Sequence, residues 1–213
     1  MTWFDVHTHT AGQPSSMFNV VLNNDEVPPR DGYFSIGLHP WFDLNKKDLE
    51  KLETYLKDTR CLAIGETGLD RVRKENFDLQ MEYFKAHLDL AVKYNKPIVL
   101  HCVRAYQDIL DVLLKFKITL PVIFHDYNGG IETTTRLLRE NNYYFSYGDK
   151  LFKENSKALK SLPLIPNERL LLETDDSKLS IGEIGEKMAQ VKNSSIEGIS
   201  GTCFNNSQAI LNF

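Results

Sequence analysis

The thirty residues PIVLHCVRAYQDILDVLLKFKITLPVIFHD (97–126) decide the fold. They open on PIVLHC (97–102) and close on PVIFHD (121–126), two short runs that are apolar on both faces. Strands of that kind suit a parallel sheet with helices packed outside it. Between them a helical pattern is expected over 104–116. Strand, helix, strand, joined by a right-handed crossover, makes two neighbouring parallel strands. Each run also carries a histidine near its C-terminal end, His101 in the first and His125 in the second.

The same grammar extends in both directions. Six further runs rich in β-branched and aromatic residues read as strands: WFDVH (3–7), MFNVVLN (17–23), YFSIGLH (33–39), CLAIGE (61–66), YYFSYG (143–148) and LLLETD (170–175). Amphipathic helices are predicted over 46–57, where Leu49, Leu52 and Leu56 share a side, and over 76–94, where Phe77, Phe84, Leu88 and Ala91 do. Others are expected at 131–141, 151–160 and 183–192. Eight strands favour closure into an α/β barrel of the TIM (β/α)8 type over an open sheet, and no GxGxxG or P-loop fingerprint speaks for the open form. Such barrels typically need about 250 residues, whereas this chain has 213. The connections at 8–16 and 24–32 are too short and too rich in Gly, Pro, Ser and Asn for full helices. The expectation is one barrel domain over 1–213 with its outer helices reduced near the N-terminus.

Composition narrows the function. The chain is 42% hydrophobic and 25% charged, with a formal net charge of -4. That sum excludes a global positive field of the kind that drives tight, sequence-independent nucleic-acid binding, so contact with nucleic acid would be brief and local. The basic group Arg71, Arg73 and Lys74 could serve such a contact, though it reads first as a solvated loop. No apolar stretch is long enough to span a bilayer and no signal peptide is recognisable. Cys61, Cys102 and Cys203 form no paired pattern, which suits a reducing cytosol and excludes a zinc knuckle. A cytoplasmic protein without a membrane partner or an obligate protein partner is expected.

In barrels of this type reactive groups gather at the C-terminal ends of the strands. His7 and His9 end the first run, Glu66 the fourth and Asp175 the eighth, alongside His101 and His125. Alternation with a period of two puts Asp5, His7 and His9 on one face, away from Phe4 and Val6. It pairs Ile64 with Glu66, Val99 with His101 and Ile123 with His125. Four imidazoles and two carboxylates meeting at the barrel mouth need compensation that a divalent cation supplies. Six candidate ligands exceed what one tetrahedral ion takes, so two ions sharing a carboxylate are expected. His7, His9 and Asp175 are assigned to one, His101 and His125 to the other, with Glu66 bridging. Two such ions activate water and polarise a phosphoryl or carbonyl oxygen, which makes hydrolysis the reaction class.

Taken in order, FDVHTHT (4–10), SIGLHPW (35–41), AIGETGLD (63–70), Gln80 and Phe84, PIVLHCVRAYQDIL (97–110), the His125 block and LLLETD (170–175) resemble the metal-dependent deoxyribonucleases of the TatD family, within the amidohydrolase-like superfamily. The last part of the chain resembles it loosely, through Asn205 and Phe213. The resemblance implies a cytosolic phosphodiesterase that cleaves DNA or short nucleotide substrates with magnesium, manganese or zinc. It implies ligand roles for the same six residues, a catalytic role for Glu66 and a general-base role for Asp175. His39 and Arg104 match positions suited to substrate phosphate. The chain departs from the family at HDYNGG (125–130), where the family usually reads His-Cys-Phe-Ser-Gly, and at Ser177, where it has proline.

Several residues carry a second reading. His39 before Pro40 also fits a structural role, Trp41 fits packing as well as base stacking, and Arg104 can pair with Asp108 at i,i+4 instead of meeting substrate. His87 reads as structural, and Glu173 as a partner that orients a ligand histidine. Two other functions fit the same residues. One is an amide or ester hydrolase using the same metals; the other is a metal-binding scaffold without catalysis, which predicts an exposed apolar patch near 17–33.

Overall fold

A computed structural model describes residues 1–140 and 142–213. Eight strands form a closed barrel in sequence order, every neighbouring pair parallel: β1 (Asp5–Thr8), β2 (Ser16–Val21), β3 (Tyr33–Gly37), β4 (Cys61–Asp70), β5 (Ile98–Val103), β6 (Val122–Phe124), β7 (Tyr143–Tyr147) and β8 (Leu170–Leu172). The helices are α1 (Lys46–Tyr55), α2 (Phe77–Tyr94), α3 (Tyr106–Phe116), α4 (Ile131–Leu137), α5 (Lys157–Ser161), α6 (Ile181–Lys192) and α7 (Ile196–Leu211). No α-helix follows β1, and only a 3-10 turn at Leu22–Asn24 follows β2, so the outer layer is thin where the short connections predicted it.

Local chemistry explains the helix ends. Asn45 caps α1 by accepting from the Asp48 amide, and Ser180 with Glu183 forms a reciprocal capping box on α6, each such cap adding about 1 kcal/mol. Helices α2, α3 and α6 stop where Asn95, Lys117 and Asn193 enter the left-handed region. The helix predicted over 131–141 ends at Leu137, with residue 141 outside the described residues, and the one predicted over 151–160 divides into a 3-10 turn at Asp149–Phe152 and α5. Helix α7 was not foreseen: its apolar residues are interrupted by Gly198, Gly201 and paired asparagines, which blur the period of 3.6.

Two apolar layers result. The larger lies between strands and helices, where Ile36, Ile64, Leu100, Phe124 and Leu172 meet Leu52, Phe84, Leu88 and Ile109. The smaller fills the barrel itself with Val6, Met17, Ala63, Val99, Ile123 and Leu171. Its floor is sealed by the end of α7: Ile210 and Leu211 join this cluster, and Phe213 stacks on Phe4 with ring centroids 4.0 Å apart.

The strands are not uniformly alternating, and this changes which residues share a face. Asp5 pairs with Ser16 and Thr8 with Phe18, so three steps on β1 match two on β2. Phe4 and Val6 therefore lie inside with His7, while Asp5 and Thr8 face outward and both hydrogen-bond Thr174. The expectation that Asp5 shares the face of His7 is corrected by this bulge. A second irregularity, between Ile64 and Thr67 on β4, puts Ile64 in the outer layer although Glu66 points inward. On β5 and β6, which pair without a register shift, Val99 and Ile123 lie inside with His101 and His125, as alternation requires.

The patch predicted at 17–33 is not found: among the described residues of that stretch, Val27 is the large apolar side chain that stands exposed, while Met17, Val20, Val21 and Leu22 are buried.

Candidate metal centre

At the C-terminal end of the barrel the six predicted ligands meet around Glu66. Its Oε1 lies 2.6 Å from His101 Nδ1, 2.7 Å from His125 Nε2 and 3.3 Å from His39 Nε2. Its Oε2 lies 3.5 Å from His7 Nε2. One carboxylate thus turns one oxygen to each of two imidazole groups. On the Oε2 side, Asp175 Oδ1 stands 3.4 Å from His9 Nε2 and 3.7 Å from His7 Nε2.

The backbone sets these positions. Asp175 donates its amide to the His7 carbonyl at 2.9 Å and accepts from the His9 amide at 3.3 Å, so the end of β1 and the segment after β8 are laced together. Between them Thr174 turns outward, donating its amide and hydroxyl to Asp5. Burial drives the Asp5 carboxyl up to about 6, against the lowering pull of those Thr174 bonds. On β4, Gly65 has φ +132, and a Cβ there would sit 2.3 Å from the Val99 carbonyl oxygen. Only glycine lets the strand lie this close to β5 just before Glu66.

The electrostatics follow from crowding. Burial alone would raise the Glu66 carboxyl, but His125, His39 and the hydrogen bond from His101 outweigh it and hold it well below the usual carboxylate range. Burial alone would lower His125, yet Glu66 and Glu173 hold it well above an ordinary imidazole. His39 ends lowered, because burial outweighs its contact with Glu66.

His7 tests whether cations fit here. It is fully buried, and neither ring nitrogen has a hydrogen-bond partner among the described residues, although buried polar atoms are almost always paired. Its neighbours are nitrogen and carboxylate donors. His7, His9 and Glu66 form one group with ligand atoms within 4.8 Å of one another; His39, Glu66 and His101 form another; His7, His125 and Asp175 a third. Imidazole and carboxylate are the donor set of zinc and manganese, with the carboxylates also suited to magnesium. The residues fit the ions.

Further residues surround this centre. Glu173, fully buried, accepts from the Asp126 amide and lies 3.5 Å from His125 Nδ1, the place expected for a group that orients this histidine. Asp70, which sequence reading passed over, lies 3.4 Å from His101 Nε2 and accepts from Trp41 Nε1 at 2.7 Å. Asn19, also missed, donates to Glu66 Oε2 at 3.2 Å and accepts from the Glu66 amide at 3.1 Å. Alternation along 17–23 points Asn19 inward with Met17, and a polar residue inside an apolar strand was the available signal. Lys150 pairs with Asp126 at the rim; nothing in its local sequence marks it.

The mouth opens as a cavity of about 480 Å³ lined by His9, His39, Trp41, Asp126, Lys150 and Asp175 among others. His39 lines it, with Nδ1 accepting from the Trp41 amide. Arg104 does not: with φ +55 it precedes α3, which begins at Tyr106, and it lines two neighbouring cavities instead. Asp108 pairs with Arg71, not Arg104. Arg71 also lies over the Phe77 ring at 4.6 Å and Arg73 over Trp41 at 5.8 Å, so the basic group is partly held by aromatic faces and is not simply a solvated loop. His87 is structural: Nε2 accepts from the Leu38 amide at 3.0 Å and Nδ1 donates to the Tyr83 carbonyl at 2.7 Å, which ties α2 to the end of β3. No helix among the described residues is long and apolar enough to cross a membrane.

Three comparisons place the chain among known proteins. The sequence profile of the family described as TatD related DNase matches residues 7–212. An uncharacterized metal-dependent hydrolase of Buchnera aphidicola is 32% identical over 161 residues, covering 70% of this chain and 60% of that protein; the chain thus spans about three fifths of that relative's length. The uncharacterized metal-dependent hydrolase YcfH of Escherichia coli K12 is 30% identical over 190 residues, 81% of this chain and 71% of YcfH. Among solved structures, the TatD homolog YjjV of Escherichia coli K12 superposes with a TM-score of 0.86 at 19% identity, covering 99% of this chain and 98% of that one.

Proposed function

Because the chain belongs to the TatD-related DNase family of metal-dependent hydrolases, we propose that it is a phosphodiesterase acting on DNA or short nucleotide substrates, using two divalent cations, zinc, magnesium or manganese. The observation that carries this reading is the division of Glu66, one oxygen toward His101 and His125 and the other toward His7. His7, His9, Glu66 and Asp175 would hold one cation and Glu66, His101 and His125 the other. When bound, the pair supplies Lewis acidity to a phosphoryl oxygen and makes a neighbouring water acidic.

The chain's own groups then have defined tasks. Asp175, whose side chain is about one third exposed at the mouth, takes up the proton released by the attacking water at a carboxylate oxygen. His39 keeps a proton on Nε2, since Nδ1 already accepts from the Trp41 amide, and that N–H, 3.3 Å from Glu66 Oε1, is shared between this carboxylate and a substrate oxygen at the mouth. Glu173 and Asp70 hold His125 and His101 in orientation. Lys150 stands at the rim as a cation for the diester. The same unit, residues 1–213, works in the cytoplasm without an obligate protein partner.

The test is hydrolysis of single-stranded DNA and of a nitrophenyl phosphodiester by protein loaded in turn with magnesium, manganese and zinc, beside nitrophenyl esters and amides. Nucleotide release with one of these metals, lost in Glu66→Ala and His101→Ala, supports the proposal. Turnover of esters or amides alone would replace it with the carbonyl reading.

A further inference from the structure

Two polar side chains are set among the apolar residues that fill the barrel. Asn19 on β2 and Ser35 on β3 are both fully buried and stand opposite each other in the register of the two strands. Met17, two residues before Asn19, and Ala63, opposite Ser35, belong to the apolar filling. Polar groups in such a place are costly unless bonded, and these two are bonded to each other and to Glu66. Ser35 Oγ donates to Asn19 Oδ1 at 3.2 Å, the Glu66 amide donates to the same oxygen at 3.1 Å, and Asn19 Nδ2 donates to Glu66 Oε2 at 3.2 Å.

These three bonds fix the amide. Two donors converge on Oδ1, so the end that faces Glu66 Oε2 is the NH2 group and not the oxygen. They also use what the irregularity in β4 leaves over. Between Ile64 and Thr67 the strand carries one residue more than β5, and the extra residue of a bulge is left out of the ladder. Glu66 is paired in the register of neither neighbouring strand, and its amide finds an acceptor in Asn19. Asn19 therefore grips Glu66 twice, at its backbone and at one carboxylate oxygen, and the side chain between these points cannot turn without losing one of them.

The two carboxylate oxygens are unequally served. Oε1 lies 2.6 Å from His101, 2.7 Å from His125 and 3.3 Å from His39. At Oε2 the hydrogen bond comes from Asn19, while His7 Nε2 stands 3.5 Å away and bonds to nothing among the described residues. Without the amide, three imidazoles on one side would draw the carboxylate to themselves, and the group of His7, His9 and Asp175 would lose the oxygen that faces it. Resting on the two-cation reading, we propose that Asn19, with Ser35 behind it, is a positioning residue: it presents Glu66 Oε2 to His7, His9 and Asp175 and so decides whether the centre takes its second cation. His101 and His125 keep Glu66 Oε1 in either case.

Metal stoichiometry tests this without recourse to turnover. Manganese is added stepwise to the full chain after removal of bound metal. The binding steps are followed by calorimetry and by electron paramagnetic resonance, in which two neighbouring manganese ions give a coupled spectrum that a lone ion does not. The proteins are wild type, Asn19→Leu, Ser35→Ala and, as a control on the same inner face of β2, Met17→Leu. Asn19→Leu is expected to keep the first step, to weaken the second about 10–100-fold and to lose the coupled spectrum. Ser35→Ala should change the second step in the same direction and by less, and Met17→Leu should change neither. Equal weakening of both steps, an unchanged second step in Asn19→Leu, or an equal effect of Met17→Leu would overturn the role of Asn19. Should Asn19→Leu fail to fold, as judged by thermal unfolding, Ser35→Ala decides by the same criterion: selective weakening of the second step supports the role, and two unchanged steps overturn it. A wild type that takes one ion overturns it together with the two-cation reading. Two ions in a protein that cleaves no diester leave it standing and remove the phosphodiesterase.

Discussion

Trp41 donates its indole N–H to Asp70 Oδ2 at 2.7 Å, and that same oxygen lies 3.4 Å from His101 Nε2. A side chain half exposed at the mouth is thereby joined through one buried carboxylate to an imidazole of the candidate metal centre. Burial alone would raise Asp70, but the hydrogen bonds from His101, Trp41 and the Val72 amide keep it strongly acidic. Asp70→Ala frees His101 to rotate and is expected to weaken metal binding about 10–100-fold, the usual cost of losing such a partner. Trp41→Phe keeps the ring and removes only the donor, so its loss in affinity should be smaller. Competition with a chromophoric chelator measures both, and equal affinities in all three proteins would refute the linkage.

Glu66 has no substitute in the centre, since both imidazole groups converge on it. On the two-cation proposal, Glu66→Ala is expected to release both ions, whereas His9→Ala, at the partly exposed edge of one group, should release at most one. Elemental analysis of the purified variants gives the stoichiometry directly.

Asp175→Asn keeps an oxygen at the ligand position but cannot accept a proton. Turnover is expected to fall about 10²–10⁴-fold, with metal content retained. If metal content falls in parallel with activity, the base role assigned to Asp175 is wrong.

His87 makes stability depend on pH. Its burial pushes the imidazole from 6.5 down to about 4, so between these values the unfolded chain binds a proton that the folded one refuses. The contribution is present above pH 6.5 and lost as pH falls toward 4, amounting to about 3 kcal/mol. Asp5 acts in the opposite sense, because its carboxyl is raised from 3.8 to about 6 and favours folding below 3.8, a gain lost as pH rises through 6. The readout must therefore be a difference: chemical denaturation of wild type and His87→Gln across this range. The glutamine can still accept from Leu38 and donate to Tyr83, and its stability should vary less on the acid side. Parallel profiles would show that His87 is not protonated on unfolding.

Gly65→Ala would place a methyl group 2.3 Å from the Val99 carbonyl oxygen at a φ of +132. Destabilisation of about 3 kcal/mol is expected, together with displacement of Glu66. Thermal unfolding and metal content report the two effects separately.

How much of this was written in the sequence depends on the strand. In β5 and β6 the rule of alternation placed Val99, His101, Ile123 and His125 inside correctly, because those strands pair without interruption. In β1 and β4 it misplaced Asp5 and Ile64, since a bulge is a relation between two strands and leaves no mark in one strand's own alternation. Asn19, Asp70 and Lys150 belong to the centre through contacts with residues far away in the chain, and polar residues in those settings have many other uses. The clustering of His7, His9, Glu66, His101, His125 and Asp175 was legible because imidazoles and acids at strand ends are costly unless something compensates them. Helix α7 was hidden by its glycines and asparagines.

The bulges in β1 and β4 carry a consequence for how this protein can change. Exchanging one side chain for another alters what a position contributes, whereas removing Gly65 would restore one-to-one pairing with β5 between Ile64 and Thr67 and set Glu66 opposite the inward Val99, its carboxylate still on the inner face. The extra residue in β4 therefore sets how far along the strand the carboxylate stands and not which side of the sheet it takes, and a Gly65 deletion should yield a barrel whose metal affinity is weakened and not abolished.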